Sequence, residues 1–104
     1  MYILKETQRR LPAAPFTERI CTKSYTFPST DNRPEYTINP GEQIWVPVYG
    51  FHRDAEYFPE PDNFKPERWS DETQHNNNVF MPFGVGPRMC IGNHQVLKFI
   101  SINI

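Results

Sequence analysis

The chain has 104 residues, of which 38% are hydrophobic and 11 are prolines, and its formal net charge is −1. This charge excludes a strongly basic nucleic-acid binder, and no apolar run approaches the roughly 20 residues that cross a bilayer. Few aliphatic residues and many prolines make a self-sufficient core a poor expectation. We therefore expect residues 1–104 to be one piece of a larger domain, with no internal boundary.

The start of the chain predicts a helix over residues 1–10, because this stretch contains no helix breaker and Pro12 follows it. It lacks the basic and apolar regions of a signal peptide. Because it resembles the middle of a helix, we expect that Met1 is not a true start. The two cysteines, Cys21 and Cys90, are expected to be free thiols, because no secretory signal or dense cysteine framework accompanies them.

Three segments after the helix have the composition of β-strands. Residues 19–27 are rich in Thr, Tyr, Ile and Phe and suit one strand. Residues 36–38 and 43–49 predict a hairpin around the turn Asn39-Pro40-Gly41. Residues 50–58 predict a short helix, formed by residues 53–58.

The second half of the chain is irregular before it becomes helical again. Four prolines interrupt residues 59–82, and so long an irregular stretch is uncommon in a compact domain unless it is functional. Residues 91–102 predict a helix, with Val96, Leu97 and Ile100 at helical spacing. The combination predicts a mainly α structure with small β-sheets (α+β).

The segment Phe83-Gly84-Val85-Gly86-Pro87-Arg88-Met89-Cys90-Ile91-Gly92 is a glycine-rich loop that delivers one cysteine to the start of a helix. We call these residues the cysteine loop. A helix start and nearby N–H groups favour a thiolate, the form of cysteine that ligates metals. Arg88 can pair with a carboxylate on a cofactor, and Gly92 permits the close approach of a flat ring. The alternative is a simple turn followed by a buried, inert cysteine.

The cysteine loop resembles the haem-binding signature of the cytochrome P-450 family. Its defining positions are matched by Phe83, Gly86, Arg88, Cys90 and Gly92. The resemblance implies that Cys90 is the catalytic residue and the axial thiolate ligand of the iron of haem b. It also implies that Arg88 pairs with a haem propionate and that Phe83 packs on the sulfur side of the ring.

Glu6 and Arg9 are three residues apart and share one helix face, although such pairs are usually exposed and worth little. The same family carries a Glu-x-x-Arg helix and a later Pro-Glu-Arg segment, here Pro66-Glu67-Arg68. The resemblance implies that Glu6, Arg9 and Arg68 form a buried structural charge cluster. It also implies that residues 13–16 line the substrate pocket; a loop packed on the core is the alternative.

The resemblance covers nearly all of the chain and is strongest to the microsomal branch, with insect detoxifying members most similar. It implies the C-terminal, haem-binding part of the family fold. The implied activity is insertion of one oxygen atom from O2 into a small lipophilic substrate, with electrons from an NADPH-dependent reductase. The implied location is the cytosolic face of the endoplasmic reticulum membrane, with membrane association only through an N-terminal part outside this chain. No nucleic-acid partner is expected.

Three other functions stay open. The chain alone could be a catalytically inactive truncated fragment that does not retain haem. A zinc or redox-thiol module would draw on Cys21, His52, His75, Cys90 and His94, but no two of them have local metal-binding spacing. A hydrolase with Cys90 as its nucleophile would need a base and an orienting group, which the sequence does not identify.

Overall fold

The computed structural model describes residues 1–71 and 78–102, with side chains described up to residue 99. Its helices are α1 (Tyr2–Arg10), α2 (Val48–His52) and α3 (Asn93–Ile102), and its strands are β1 (Thr17–Ile20), β2 (Tyr25–Phe27), β3 (Tyr36–Ile38) and β4 (Gln43–Val46). Among the described residues, 3₁₀ turns span Pro66–Ser70 and Gly86–Arg88. Helices with two small antiparallel sheets confirm the predicted α+β class.

The chain divides into two compact units, and the smaller one, Phe16–Val46, holds all four strands. The strand β1 pairs with β4, and β2 pairs with β3, both antiparallel. Phe16 stacks on Trp45 with ring centroids 4.5 Å apart, and Cys21 and Ile38 are buried. The smaller unit is therefore a hairpin, β2–β3, enclosed in sequence by the β1–β4 pair.

The predicted hairpin between residues 36–38 and 43–49 is wrong. The turn does form, with Gly41 at a φ of 92°, but its amide donates to the carbonyl of Cys21 rather than across a hairpin. A turn signal specifies a change of direction and leaves the pairing partner undetermined, and here both strands pair with earlier segments. The single strand predicted over residues 19–27 is likewise two strands, interrupted after β1 at Cys21.

The helix predicted over residues 53–58 is misplaced, because the helix α2 precedes it. Pro47 has no N–H to donate to a sheet, so the strand ends there, and its carbonyl accepts the N–H of Phe51 as the helix begins. Residues 54–58 form one turn, in which the Asp54 carbonyl accepts the N–H of Phe58. The helix predicted over residues 91–102 is confirmed, and it spans Asn93–Ile102.

The larger unit contains Met1–Pro15 and the chain from Pro47 onward, and its interior is unusually polar. Leu4, Val48, Phe58 and Trp69 supply its buried apolar side chains. The side chains that are most completely buried include three polar ones: Glu6, Arg9 and His52. Among the helices that the structure describes, none has the length and hydropathy to cross a membrane.

Candidate functional site

The carboxylate of Glu6 is the centre of the charge cluster formed by Glu6, Arg9 and Arg68. Its Oε1 accepts hydrogen bonds from Arg9 Nη2 at 2.8 Å, Arg68 Nε at 3.2 Å and the backbone N–H of Lys65 at 3.0 Å. Its Oε2 accepts from Arg9 Nε at 3.0 Å and from the indole N–H of Trp69 at 2.9 Å. One buried carboxylate thus receives five donors.

The two guanidinium groups also donate to backbone carbonyls at the end of α2 and in the irregular segment. Arg9 donates to the carbonyls of His52 at 2.7 Å and Pro61 at 2.8 Å. Arg68 donates to the carbonyls of Pro59 at 2.9 Å and, more weakly, Glu60 at 3.2 Å. Because a guanidinium carries five donors in a rigid fork, the charge cluster satisfies polar backbone that has no helix or strand partner.

The hydrogen bonds keep Glu6 ionised. Burial alone would raise the pKa of this carboxyl, but hydrogen bonds from Arg9, the Lys65 backbone and Trp69 lower the pKa of Glu6 to about 2. At neutral pH the cluster therefore contains one negative and two positive groups. Backbone carbonyls of His52, Pro61 and Pro59 also accept hydrogen bonds from the two guanidinium groups.

The structure brings together Glu6, Arg9 and Arg68, the three residues expected to form a charge cluster. Sequence reasoning missed Trp69 and assigned no cluster role to His52. A signal existed for Trp69, because it follows Arg68 directly and a buried indole N–H needs an acceptor. His52, as a lone histidine, offered none.

The ring of His52 is buried next to the same cluster. Its Nε2 accepts the backbone N–H of Met81 at 3.0 Å. The ring centroid lies 5.3 Å from that of Phe80 and 6.2 Å from that of Phe58. Burial lowers the pKa of His52 to about 4, against a weaker raising effect of the Arg9 backbone. His52 is therefore a neutral imidazole at neutral pH.

The cysteine loop is held by its glycines and by one cross-loop hydrogen bond. Gly84 and Gly86 have φ values of 75° and 76°, in the left-handed region that favours glycine. The N–H of Cys90 donates to the carbonyl of Phe83 at 2.9 Å, and Met89 N–H closes the 3₁₀ turn onto the Gly86 carbonyl at 3.1 Å. The backbone of Cys90 is therefore hydrogen-bonded to Phe83, the first residue of the loop.

The thiol of Cys90 is exposed just before the helix α3. A Cβ built on Gly92 would lie 3.9 Å from the Cys90 sulfur, so the sulfur lies beside this glycine. Arg88 is exposed on the same loop, and Ile91 is 96% exposed. The exposed groups of the loop thus include a thiol, a guanidinium and the apolar side chains of Val85, Met89 and Ile91.

This set of groups fits a haem. The iron of a haem takes a cysteine thiolate as an axial ligand, its propionates suit a guanidinium, and its ring suits apolar side chains such as Ile91 and Met89, both exposed. The sequence prediction for Cys90 and Arg88 therefore has compatible chemistry in the loop. The roles themselves stay predictions.

The residues of the alternative zinc module are not brought together. No group of three His, Cys, Asp or Glu side chains able to hold a metal ion occurs in the part of the chain that the structure describes. His52 is fully buried and hydrogen-bonded to Met81, and the thiol of Cys21 donates to the Lys23 carbonyl at 3.0 Å. His75 lies outside the described residues.

Comparison with known proteins places the chain in a family. The family model described as Cytochrome P450 matches residues 2–94, and the chain belongs to the cytochrome P450 family. It is similar to Cytochrome P450 9e2 of Blattella germanica, with 45% identity over 97 residues, or 91% of this chain and 18% of that protein. It is also similar to Probable cytochrome P450 6d4 of Drosophila melanogaster, with 45% identity over 93 residues, or 88% of this chain and 17% of that protein.

A third relative, Cytochrome P450 6j1 of Blattella germanica, is 41% identical over 104 residues, or 98% of this chain and 19% of that protein. The chain thus spans less than a fifth of the length of these curated relatives. The family predicted from the cysteine loop, and its likeness to insect members, are confirmed.

Proposed function

We propose that this protein is a haem-thiolate monooxygenase in which the sulfur of Cys90 ligates the iron. It inserts one oxygen atom from O2 into a small lipophilic substrate and takes electrons from an NADPH-dependent reductase. The observation that carries the proposal is the exposed thiol of Cys90, whose backbone N–H donates to the Phe83 carbonyl in a loop with the family signature. When bound, the haem supplies the oxygen-activating chemistry.

The other signature residues bind and orient the haem. Gly86 gives the loop the left-handed turn that a side chain would strain. Arg88, which is exposed, pairs with a propionate. Gly92 leaves the space beside the Cys90 sulfur free of a side chain, and Phe83 packs on the sulfur side of the ring. These roles rest on the resemblance and on the compatible exposure of each group.

The charge cluster has a structural role in this proposal. Glu6, Arg9 and Arg68 do not contact the cofactor; they hold residues 59–65 through hydrogen bonds to backbone groups. This segment precedes the cysteine loop in the chain. The cluster therefore supports the ligand from a distance.

The remaining proposals concern the whole protein. We infer that the cofactor is haem b and that residues 1–104 are one part of a C-terminal haem-binding domain. The enzyme acts at the cytosolic face of the endoplasmic reticulum membrane, and residues 13–16 line its substrate pocket. Membership of the cytochrome P450 family and similarity to insect members support these statements.

A ligand-specific spectrum tests the proposed function. We expect the whole protein that contains these residues, when haem-loaded, reduced and treated with CO, to show a thiolate-type Soret band that is lost in Cys90→Ser. The matched control is Cys21→Ser, which changes a buried thiol in the other unit and leaves the band in place. A band that persisted in Cys90→Ser, or was lost only in Cys21→Ser, would refute the assignment of the ligand.

A second proposal is that the 104 residues alone do not retain haem and are inactive. The exposure of Cys90, Arg88 and Ile91 favours it, because an axial ligand and its flanking side chains are covered in a closed haem pocket. Gel filtration of the chain after addition of haem tests this second proposal. Haem that co-elutes with the chain at one equivalent contradicts it.

A further inference from the structure

His52 connects the charge cluster to the cysteine loop, a role that the proposed function does not include. Its carbonyl oxygen accepts the 2.7 Å hydrogen bond from Arg9 Nη1. Its ring Nε2, on the same residue, accepts the N–H of Met81 at 3.0 Å. A single residue at the end of α2 therefore contacts both the cluster and the chain segment that enters the loop.

The contact with Met81 controls the first turn of that segment. Residues 78–82 lie outside the helices and strands, so the Met81 N–H has no ladder partner and the imidazole supplies its acceptor. Met81 is half-buried, and an N–H shielded from water is costly to leave without an acceptor. The carbonyl of Met81 in turn accepts the N–H of Gly84 at 3.0 Å, and Gly84 is the first left-handed glycine of the loop.

The path continues from this turn to the ligand. Phe83, which lies between Met81 and Gly84, offers its carbonyl to the N–H of Cys90 at 2.9 Å. The position of Met81 therefore determines the position of the Phe83 carbonyl. That carbonyl in turn determines the position of the Cys90 backbone. Two hydrogen bonds and a short covalent segment separate the Met81 amide from the sulfur-bearing residue.

The ring of His52 is in the protonation state that this contact needs. Nε2 accepts a hydrogen bond only without a proton, so the proton of the neutral ring is assigned to Nδ1. The backbone of Gln8 and Arg9, at the C-terminal end of α1, and that of Val79 lie near the ring and favour a proton on it. Within the described residues, Nδ1 makes no hydrogen bond of good geometry.

From this geometry we propose that His52 is a positioning residue for Cys90. By accepting the Met81 N–H while its carbonyl is held by Arg9, it places the first turn of the cysteine loop and so orients the thiolate towards the iron. The inference rests on the proposed function for the identity of Cys90 as the ligand. The placement of the loop itself does not depend on it.

If His52 only filled space in the core, any aromatic ring at this position would be sufficient, since Phe80 and Phe58 pack against the ring. Three variants separate packing from hydrogen bonding. His52→Phe keeps an aromatic ring but removes the acceptor, and His52→Gln restores an acceptor at the end of a flexible chain. Phe58→Leu, the matched control, weakens the same aromatic packing and leaves the Met81 hydrogen bond in place.

Backbone amide hydrogen exchange in the full chain tests the placement without haem. The reported quantity is the exchange rate of Met81 and Gly84 relative to Phe51, whose N–H is bonded within α2. We expect this ratio to rise about tenfold in His52→Phe, the loss expected for one net hydrogen bond. It returns to within about threefold of the unmodified chain in His52→Gln and stays there in Phe58→Leu.

An unchanged ratio in His52→Phe overturns the inference, as does a ratio that stays raised in His52→Gln. If His52→Phe does not fold, His52→Gln decides: a low ratio supports the role and a high one refutes it. In the haem-loaded protein, the thiolate-type fraction of the ferrous-CO spectrum falls in His52→Phe, recovers in His52→Gln and is kept in Phe58→Leu. A whole protein with unaltered His52 that binds haem but lacks that band refutes the proposed function, while the exchange ratio still decides the placement of the loop.

Discussion

Replacing Glu6 by glutamine tests whether the charge cluster holds the larger unit together. Glu6 is fully buried and accepts five hydrogen bonds. A glutamine of the same size turns N–H groups towards donors and removes the negative charge that faces Arg9 and Arg68. Removing one partner of a buried ionic group typically costs about 3–5 kcal/mol, a large share of the roughly 5–15 kcal/mol that stabilises a domain.

Urea unfolding followed by circular dichroism measures this loss. With a slope of about 1 kcal/mol per molar urea for a chain of this size, we expect the midpoint of Glu6→Gln to fall by on the order of 3 M. Glu60→Gln is the control, because Glu60 is an exposed carboxylate that pairs with Lys65 at the surface and its loss changes the midpoint little. Equal shifts in the two variants would show that the cluster contributes no more than a surface pair.

The pH dependence of stability follows from the two perturbed groups. The unfolded chain protonates His52 below pH 6.5 and the folded chain only below about 4, so stability falls by about 3 kcal/mol as the pH drops through this range; a constant urea midpoint between pH 6.5 and 4 would contradict it. Glu6, whose folded pKa of about 2 lies below 4.5, adds a further loss from pH 4.5 towards pH 2, which Glu6→Gln removes. Gly84→Ala, at a φ of 75°, lowers the free energy of unfolding by about 1–2 kcal/mol. Gly50→Ala within α2, where a Cβ meets Pro47 at 3.5 Å, raises it by up to about 1 kcal/mol. Thermal melting compares the two variants, and equal losses of stability would refute the conformational argument.

Local signals predicted the helices at the two ends of the chain. The helix α1 was expected over residues 1–10 and spans Tyr2–Arg10, because a breaker-free run followed by Pro12 defines it without reference to other residues. Strand pairing was predicted wrongly, because β4 pairs with β1 across more than 20 intervening residues. The amino-acid composition of a strand does not identify the strand with which it pairs.

In the candidate site, too, local features could be predicted from the sequence and long-range contacts could not. The cysteine loop is a contiguous motif, so Phe83 to Gly92 could be identified as one feature. The spacing of Glu6 and Arg9 predicted a shared helix face, but burial of that face depends on Trp69 and Lys65, about 60 residues later. His52 was missed because its partners, Arg9 and Met81, are distant in sequence on both sides.

The separation within the charge cluster has a consequence for synthesis on the ribosome. Glu6 is made 59 residues before Lys65 and 63 before Trp69. At about 5–20 residues per second, roughly 3–12 s pass between the synthesis of Glu6 and the synthesis of the groups that cover its carboxylate. During that interval its ionised side chains keep this face hydrated, so the nascent segment stays unassembled until the second half of the chain arrives.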